Sequence, residues 1–200
     1  DQPIPPADLI ILPGSKNVIS DLRALKAQGW DAAIKKHLRY GGKVIGLCGG
    51  YQMLGKLIED PEGIEGDPTS ENGLGLLDIQ TRLAPQKQLK QSKGTLSLPD
   101  QDSCTVEGYE IHAGISEGDG RSSAPLYLSG ESEGALSEDN TILGSYLHGL
   151  FDEPDALKAL LHWSGLTGAA LFDYSEQREN SINQLASCFA QHLDMEKLTS

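Results

Sequence analysis

Two uninterrupted apolar runs, ADLIILPGS (Ala7 to Ser15) and GKVIGLC (Gly42 to Cys48), each end at a turn and lead into a helical segment. That alternation leaves few folds open. A strand that reads as a continuous apolar run is covered on both faces, as in a parallel sheet. Between the two runs, NVISDLRALKAQ and WDAAIKKHL read as helical pieces broken at Gly29. The second piece has Trp30, Ala33, Ile34 and Leu38 on one face and stops at Gly41 and Gly42. YQMLGKLI, after the second run, reads as the next helix. Strand, helix, strand, helix is the pattern of βαβ units, which predicts an α/β fold around a parallel sheet.

The junction after the second run carries the chemistry. Gly46-Leu47-Cys48-Gly49-Gly50 places a cysteine between glycines two positions before and after it, where a strand turns into a helix. This is the nucleophile-elbow pattern. A nucleophile there adopts a strained backbone, and a side chain two residues away on either side would collide with the neighbouring strand or helix. The thiol then emerges at the carboxyl end of the sheet, where open α/β sheets bind ligands. The helix start is expected to lower the thiol pKa, and the Gly49 amide can donate to a developing oxyanion. A buried structural cysteine is the plainer alternative, since free cysteines are often buried, but it does not call for the flanking glycines. Cys104, in the polar run DQDSCTVEG, has no such setting.

A nucleophilic cysteine needs a base. His37, His162 and His192 sit on amphipathic helical segments where a histidine is unremarkable. His148 follows ILGSYL at a strand end, and His112 in GYEIHAG lies in a similar place. Spacing alone leaves both open.

From Gly63 to about Ser145 the chain is rich in Gly, Ser, Asp and Glu, with short strand-like pieces: LGLLDIQTRL, GTLSL, VEGYEIHAG, APLYLSG and TILGSYLHG. Turn signals separate them, which predicts an antiparallel extension of the same sheet, with KQLKQSK (Lys87 to Lys93) as a solvated loop. Helices return with EPDALKALLHWSG and SEQRENSINQLASCFAQHL. The last places Ile182, Leu185, Ala186 and Phe189 on one stripe, with Cys188 beside it as a partly buried thiol.

Composition narrows the partners. A net charge of −13 argues against nucleic acid and anionic membranes, because such binding needs clustered Lys and Arg. No apolar run is long enough to span a bilayer. Three cysteines without metal-ligand spacing predict neither a disulfide framework nor a metal site, and fit a reducing cytoplasm. The opening DQPIPPA (residues 1–7) reads as a linker remnant, with one domain over residues 8–200.

Taken together, GLCGGYQMLG, the LPGSKN loop, GYEIH and SYLHGLFD resemble the class I (triad) glutamine amidotransferases, and among them the amidotransferase domain of cobyric acid synthases. The resemblance runs on through DPEGIEG, GLGLLDIQT, DYSEQREN and HLDMEKL. It implies a flavodoxin-like fold: a mostly parallel central sheet, helices on both faces and an antiparallel extension. It also implies that Cys48 attacks the carboxamide of glutamine and that His148 is the base and acid. Backbone amides at Gly14 and Gly49 would form the oxyanion hole, and Gln52 with Tyr109, Glu110, Ile111 and His112 would line the glutamine pocket.

Triad members usually carry a glutamate two residues after the histidine; Leu150 stands there in this chain, which leaves Glu110, Asp152 and Glu153 as candidates to orient His148. The resemblance further implies a preceding ATP-binding synthetase domain, which would hold ATP and Mg2+ and receive the corrin substrate. This domain itself would bind no cofactor, and the sequence has no GxxxxGK[ST] phosphate loop. The ammonia would serve amidation of adenosylcobyrinic acid a,c-diamide in cobalamin biosynthesis. The alternatives are the domain of a related synthase (cobyrinic acid a,c-diamide synthase, or a cell-wall precursor amidating enzyme), a peptidase- or chaperone-like relative, and a domain that binds glutamine or a partner without turnover.

Overall fold

The computed structural model of the chain describes residues 3–166 and 174–193. The elements begin with β1 (Leu9–Leu12), α1 (Val18–Ala27), α2 (Trp30–Arg39), β2 (Lys43–Leu47) and α3 (Gly49–Leu54). Then come β3 (Leu57–Asp60), β4 (Thr69–Asn72), β5 (Gln80–Leu96), β6 (Cys104–Glu117), β7 (Leu126–Leu128), β8 (Glu131–Glu133) and β9 (Ala135–Leu136). The chain closes with β10 (Ile142–Ser145), β11 (Leu147–His148), α4 (Pro154–Trp163) and α5 (Tyr174–His192).

The central sheet runs β1-β2-β10-β9, with β1, β2 and β10 parallel and β9 antiparallel. Its core strands are apolar on both sides because both sides are covered. Val44 and Ile142 face a core built with Val18, Ile19 and Leu22 of α1 and Leu54 of α3. Their neighbours Ile45 and Leu143 face the other way, onto Ala156, Leu160 and Trp163 of α4. The expected layering of helices on both faces is therefore present, and the helix breaks fall as expected, with Gly29 at φ 72 between α1 and α2.

The antiparallel strands differ in one respect from a simple extension. They hydrogen-bond as a second sheet in the order β11-β6-β5-β3-β4, antiparallel except for the parallel β3–β5 pair, with β7 added at β5 and β8 at β7. The chain crosses between the sheets within Ser145 to Leu147, where β10 ends and β11 begins. Three local expectations are corrected. YQMLGKLI is not one helix: Gly55 leaves it in an extended conformation, and Leu57–Asp60 is a strand paired with β4 and β5. KQLKQSK is not a loop but the middle of β5, paired with β6 from Gln88↔His112 to Lys93↔Glu107. Lys90, Gln91 and Lys93 are exposed and suit a strand with a wet face, as with the Lys93–Glu107 ion pair. The register shifts between Leu83 and Gln88, beside Pro85, which has no N–H to give to a ladder.

The third concerns α5. Ile182, Leu185 and Phe189 are each about half exposed and Cys188 is exposed, because no described element covers that stripe. No described helix is long and apolar enough to cross a membrane.

Candidate active site

Cys48 closes β2 and caps α3, and its backbone sits at φ 51, ψ −110, a region that L-residues other than glycine rarely occupy. Two hydrogen bonds fix it there: its N–H donates to the Ser145 carbonyl at 2.8 Å and its own carbonyl accepts from Gln52 at 3.1 Å. The flanking glycines are required by space. A Cβ on Gly46 would stand 2.5 Å from Leu54 Cδ1, and one on Gly50 would stand 2.1 Å from the Leu12 carbonyl oxygen. Strand β2, helix α3 and strand β1 thus close on the cysteine as the GxCxG pattern predicts.

The thiol environment departs from expectation. Burial pushes the Cys48 pKa above the ordinary thiol range. The Gly49 N–H opposes this and the Glu65 carboxylate adds to it. Helix α3 has only six residues, so its end carries little dipole to set against desolvation. Consistent with a protonated thiol, Sγ donates to the Ile111 carbonyl at 3.6 Å. A nucleophile held in this form needs a neighbouring base.

Both histidines are near. Gly14, in the turn after β1, faces both Cys48 and His148: a Cβ there would lie 3.7 Å from Cys48 Cβ and 3.7 Å from His148 Cε1. His148 Nε2 is buried and has no hydrogen-bond partner. His112 is otherwise engaged. Its Nδ1 contacts the Gly114 carbonyl at 2.7 Å, which fixes the proton on that nitrogen, and its ring stacks on Tyr146 with centroids 3.7 Å apart. Burial pulls its pKa down, and Nε2 stays without a partner, so the neutral ring presents a lone pair there.

The remaining residues of the expected site gather around this pair with distinct contacts. Gln52 is buried and its amide donates to Tyr146 Oη at 3.2 Å. Glu110 accepts from Ser92 Oγ at 2.6 Å, with its other oxygen 4.0 Å from His112 Nε2. Ile111 is partly exposed and supplies the carbonyl that meets Sγ. Tyr109 is half exposed and lies flat against His148, centroids 5.1 Å apart and planes at 4°. Of the acids considered for orienting His148, none bonds to it among the described residues. Asp152 lies beside Gly149, where a Cβ would meet its carboxylate at 3.2 Å, and Leu150 itself is buried in the α4 core.

Sequence reasoning missed the polar support beneath these residues. Tyr146 Oη meets Ser116 Oγ at 2.6 Å, and Ser116 Oγ meets Thr81 Oγ1 at 2.7 Å. Burial pushes the Tyr146 pKa up to about 12. Glu133 holds the strand crossing before His148, accepting from Ser145 Oγ at 2.7 Å and from the Tyr146 N–H at 2.7 Å. Ser145 Oγ in turn accepts from the Leu147 N–H at 2.9 Å. Tyr146, two residues before the histidine in SYLH, was visible in the sequence. Glu133, in a polar stretch of turn residues, gave no signal.

Glu133 makes stability depend on pH. Burial raises its pKa to about 7, its two hydrogen bonds pull the other way, the charge of Glu110 adds to the rise and Arg121 opposes it. The folded chain therefore holds a proton on Glu133 that the unfolded chain releases near the ordinary carboxylate range. Its stabilising effect is full below that range and is lost as pH rises toward 7. Glu133→Gln removes the titration, so the melting-temperature advantage of the unchanged chain over this variant should be larger at pH 5 than at pH 7.5. A constant difference across that range would show that Glu133 is ionised throughout.

Among the described residues no group of His, Cys, Asp and Glu is arranged to hold a metal ion. Residues 1–156 match the family described as "CobB/CobQ-like glutamine amidotransferase domain". The chain is 51% identical over 197 residues to a cobyric acid synthase of Photobacterium profundum. That match covers 98% of this chain and 40% of the relative's length, so the chain spans well under half of that relative. Among solved structures, a glutamine amidotransferase aligns over 79% of both chains at 19% identity and a TM-score of 0.52. PurLQS from Thermotoga maritima aligns over 82% of both at 16% identity and a TM-score of 0.56. Both likenesses speak to the fold.

Proposed function

The chain belongs to the CobB/CobQ-like glutamine amidotransferase domain family, and from that premise we propose that Cys48 and His148 carry its chemistry, hydrolysing glutamine to glutamate and ammonia. The observation that carries the reading is the convergence of a strained cysteine and an unpartnered buried histidine on one glycine, Gly14.

In this reading His148 takes the proton from the Cys48 thiol, and Sγ attacks the carboxamide carbon of glutamine. The carbonyl oxygen becomes an oxyanion, which the Gly49 amide and the turn at Gly14 stabilise. The C–N bond breaks as His148 returns its proton to the leaving nitrogen, giving ammonia and a thioester. His148 then takes a proton from water, the hydroxide attacks the thioester, and Cys48 is released with glutamate. The raised thiol pKa suits this order, because the proton leaves only when the base and the substrate are both in place.

The test is alkylation by 6-diazo-5-oxo-norleucine, a glutamine analogue that reacts as an electrophile. Labelling is expected at Cys48 and at neither Cys104 nor Cys188, with glutamine protecting. An intact, folded chain that takes no label would leave the domain as a binder without turnover.

The similarity to a cobyric acid synthase extends the proposal to the longer protein. There, an ATP- and Mg2+-dependent synthetase domain would activate corrin carboxylates of adenosylcobyrinic acid a,c-diamide, and ammonia from this domain would convert them to amides. A free nucleophilic thiol of this kind suits a reducing cytoplasm.

A further inference from the structure

An imidazole that must shuttle a proton has to be held in one plane, and the usual device is a carboxylate behind it. Among the described residues that device is missing. Leu150 is in the core, Glu110 is bonded to Ser92, Asp152 lies at Gly149, and no hydrogen bond to the His148 ring is found among the described residues. What touches the ring is Tyr109. The two residues are direct partners in the antiparallel pairing of β6 with β11, His148↔Tyr109. Cross-strand partners present their side chains on the same face of a sheet. The parallel stack at 5.1 Å and 4° is therefore built into the strand register.

Other backbone features hold that register. Gly108, next to Tyr109, lets β11 come so close that a Cβ there would stand 1.9 Å from the His148 carbonyl oxygen. Gly149, at φ 92, turns the chain away directly after the histidine. Near Cε1 of the imidazole lies Gly14, with no side chain to compete for the ring's position.

We propose that Tyr109 is the positioning residue for His148, its stacked ring holding the imidazole plane toward Cys48 in place of an acid. This rests on the reading of Cys48 and His148 as nucleophile and base. The stack differs from an acid in kind: it fixes orientation without supplying a full negative charge to favour the imidazolium. The face of the ring does this work, so the phenol hydroxyl is dispensable. Tyr109 is 49% exposed, so replacing it removes little core packing.

The experiment compares Tyr109→Phe and Tyr109→Leu with the unchanged full chain, by steady-state glutamine hydrolysis and by NMR of the His148 ring protons. Tyr109→Phe should keep kcat within about twofold, while Tyr109→Leu should lose about 10- to 100-fold in kcat with little change in KM, as a misplaced catalytic group does. The His148 ring protons should lie upfield in the unchanged chain and in Tyr109→Phe, and move downfield in Tyr109→Leu. Three results would each overturn the assignment: an unchanged kcat in Tyr109→Leu, a Phe variant as slow as the Leu variant, or a loss confined to KM. The last would make Tyr109 a substrate contact only. His148→Ala separates the two levels: if it keeps full activity, the base assignment itself has failed, whereas an inactive His148→Ala beside a fully active Tyr109→Leu removes only the stack. The ring-proton shifts of the unchanged chain report on the stack even if no variant can be purified.

Discussion

Cys48→Ser is expected to lower glutamine hydrolysis about 10,000-fold or more, the scale at which removing a nucleophile collapses covalent catalysis. The change is close to isosteric and leaves the backbone its hydrogen bonds to Ser145 and Gln52. Folding should therefore be spared, with the melting temperature within a few degrees of the unchanged chain. The chemistry should not be. Burial already favours the protonated thiol, and a hydroxyl in the same place is a far weaker acid facing a histidine to which no carboxylate bonds among the described residues. If, as proposed, the chain serves a longer synthase, glutamine-dependent amidation should disappear there while amidation supported by added ammonia persists. Loss of both would point to a structural defect. Glutamine-dependent activity that survived would remove Cys48 from the nucleophile role.

The parts legible in the sequence were those where steric necessity leaves a mark on residue type. Gly46 and Gly50 are glycines because neighbouring atoms occupy their Cβ positions, so the elbow could be read before any fold was known. Strands β2 and β10 are apolar on both sides because two helix layers cover them, whereas the edge strand β1, expected to be buried throughout, leaves Ile11 exposed. Where the environment depends on distant segments, the sequence fell silent. KQLKQSK has the composition of a loop, and only its pairing with β6 makes it a strand. The thiol pKa was expected to fall from the local helix end, yet it rises, because burial is set by the whole site and outweighs a six-residue helix. The choice between His112 and His148 was equally hidden. Both read as strand ends in the sequence, but only His148 ends a strand; His112 lies inside β6, held by the Gly114 carbonyl and the Tyr146 ring.

Gly50→Ala is expected to be among the most damaging single methyls that can be added near the site. The new Cβ would meet the Leu12 carbonyl oxygen at 2.1 Å and its carbon at 2.6 Å, both backbone atoms of β1 that no rotamer change can move. The Gly50 N–H also donates to the Pro13 carbonyl at 3.0 Å, so the start of α3 is tied to the end of β1. Relief requires α3 and β1 to separate. Overpacking of this sort costs about 3 kcal/mol or more, which lowers the melting temperature of a chain this size by roughly 6–12 °C. Gly29→Ala gives the contrast. Its backbone is left-handed at φ 72 but nothing lies within 4 Å of the added carbon, so it should cost only about 1 kcal/mol. Separation at Gly50 would also carry Gly14 and Ser15 away from Cys48, since both follow Leu12 and Pro13 in the turn that meets α3. Hydrolysis should then fall even at temperatures where Gly50→Ala remains folded, whereas Gly29→Ala keeps its rate. If Gly50→Ala melted no lower than Gly29→Ala, α3 would not approach β1 as closely as described, and the steric reason for the second glycine of the elbow would be lost.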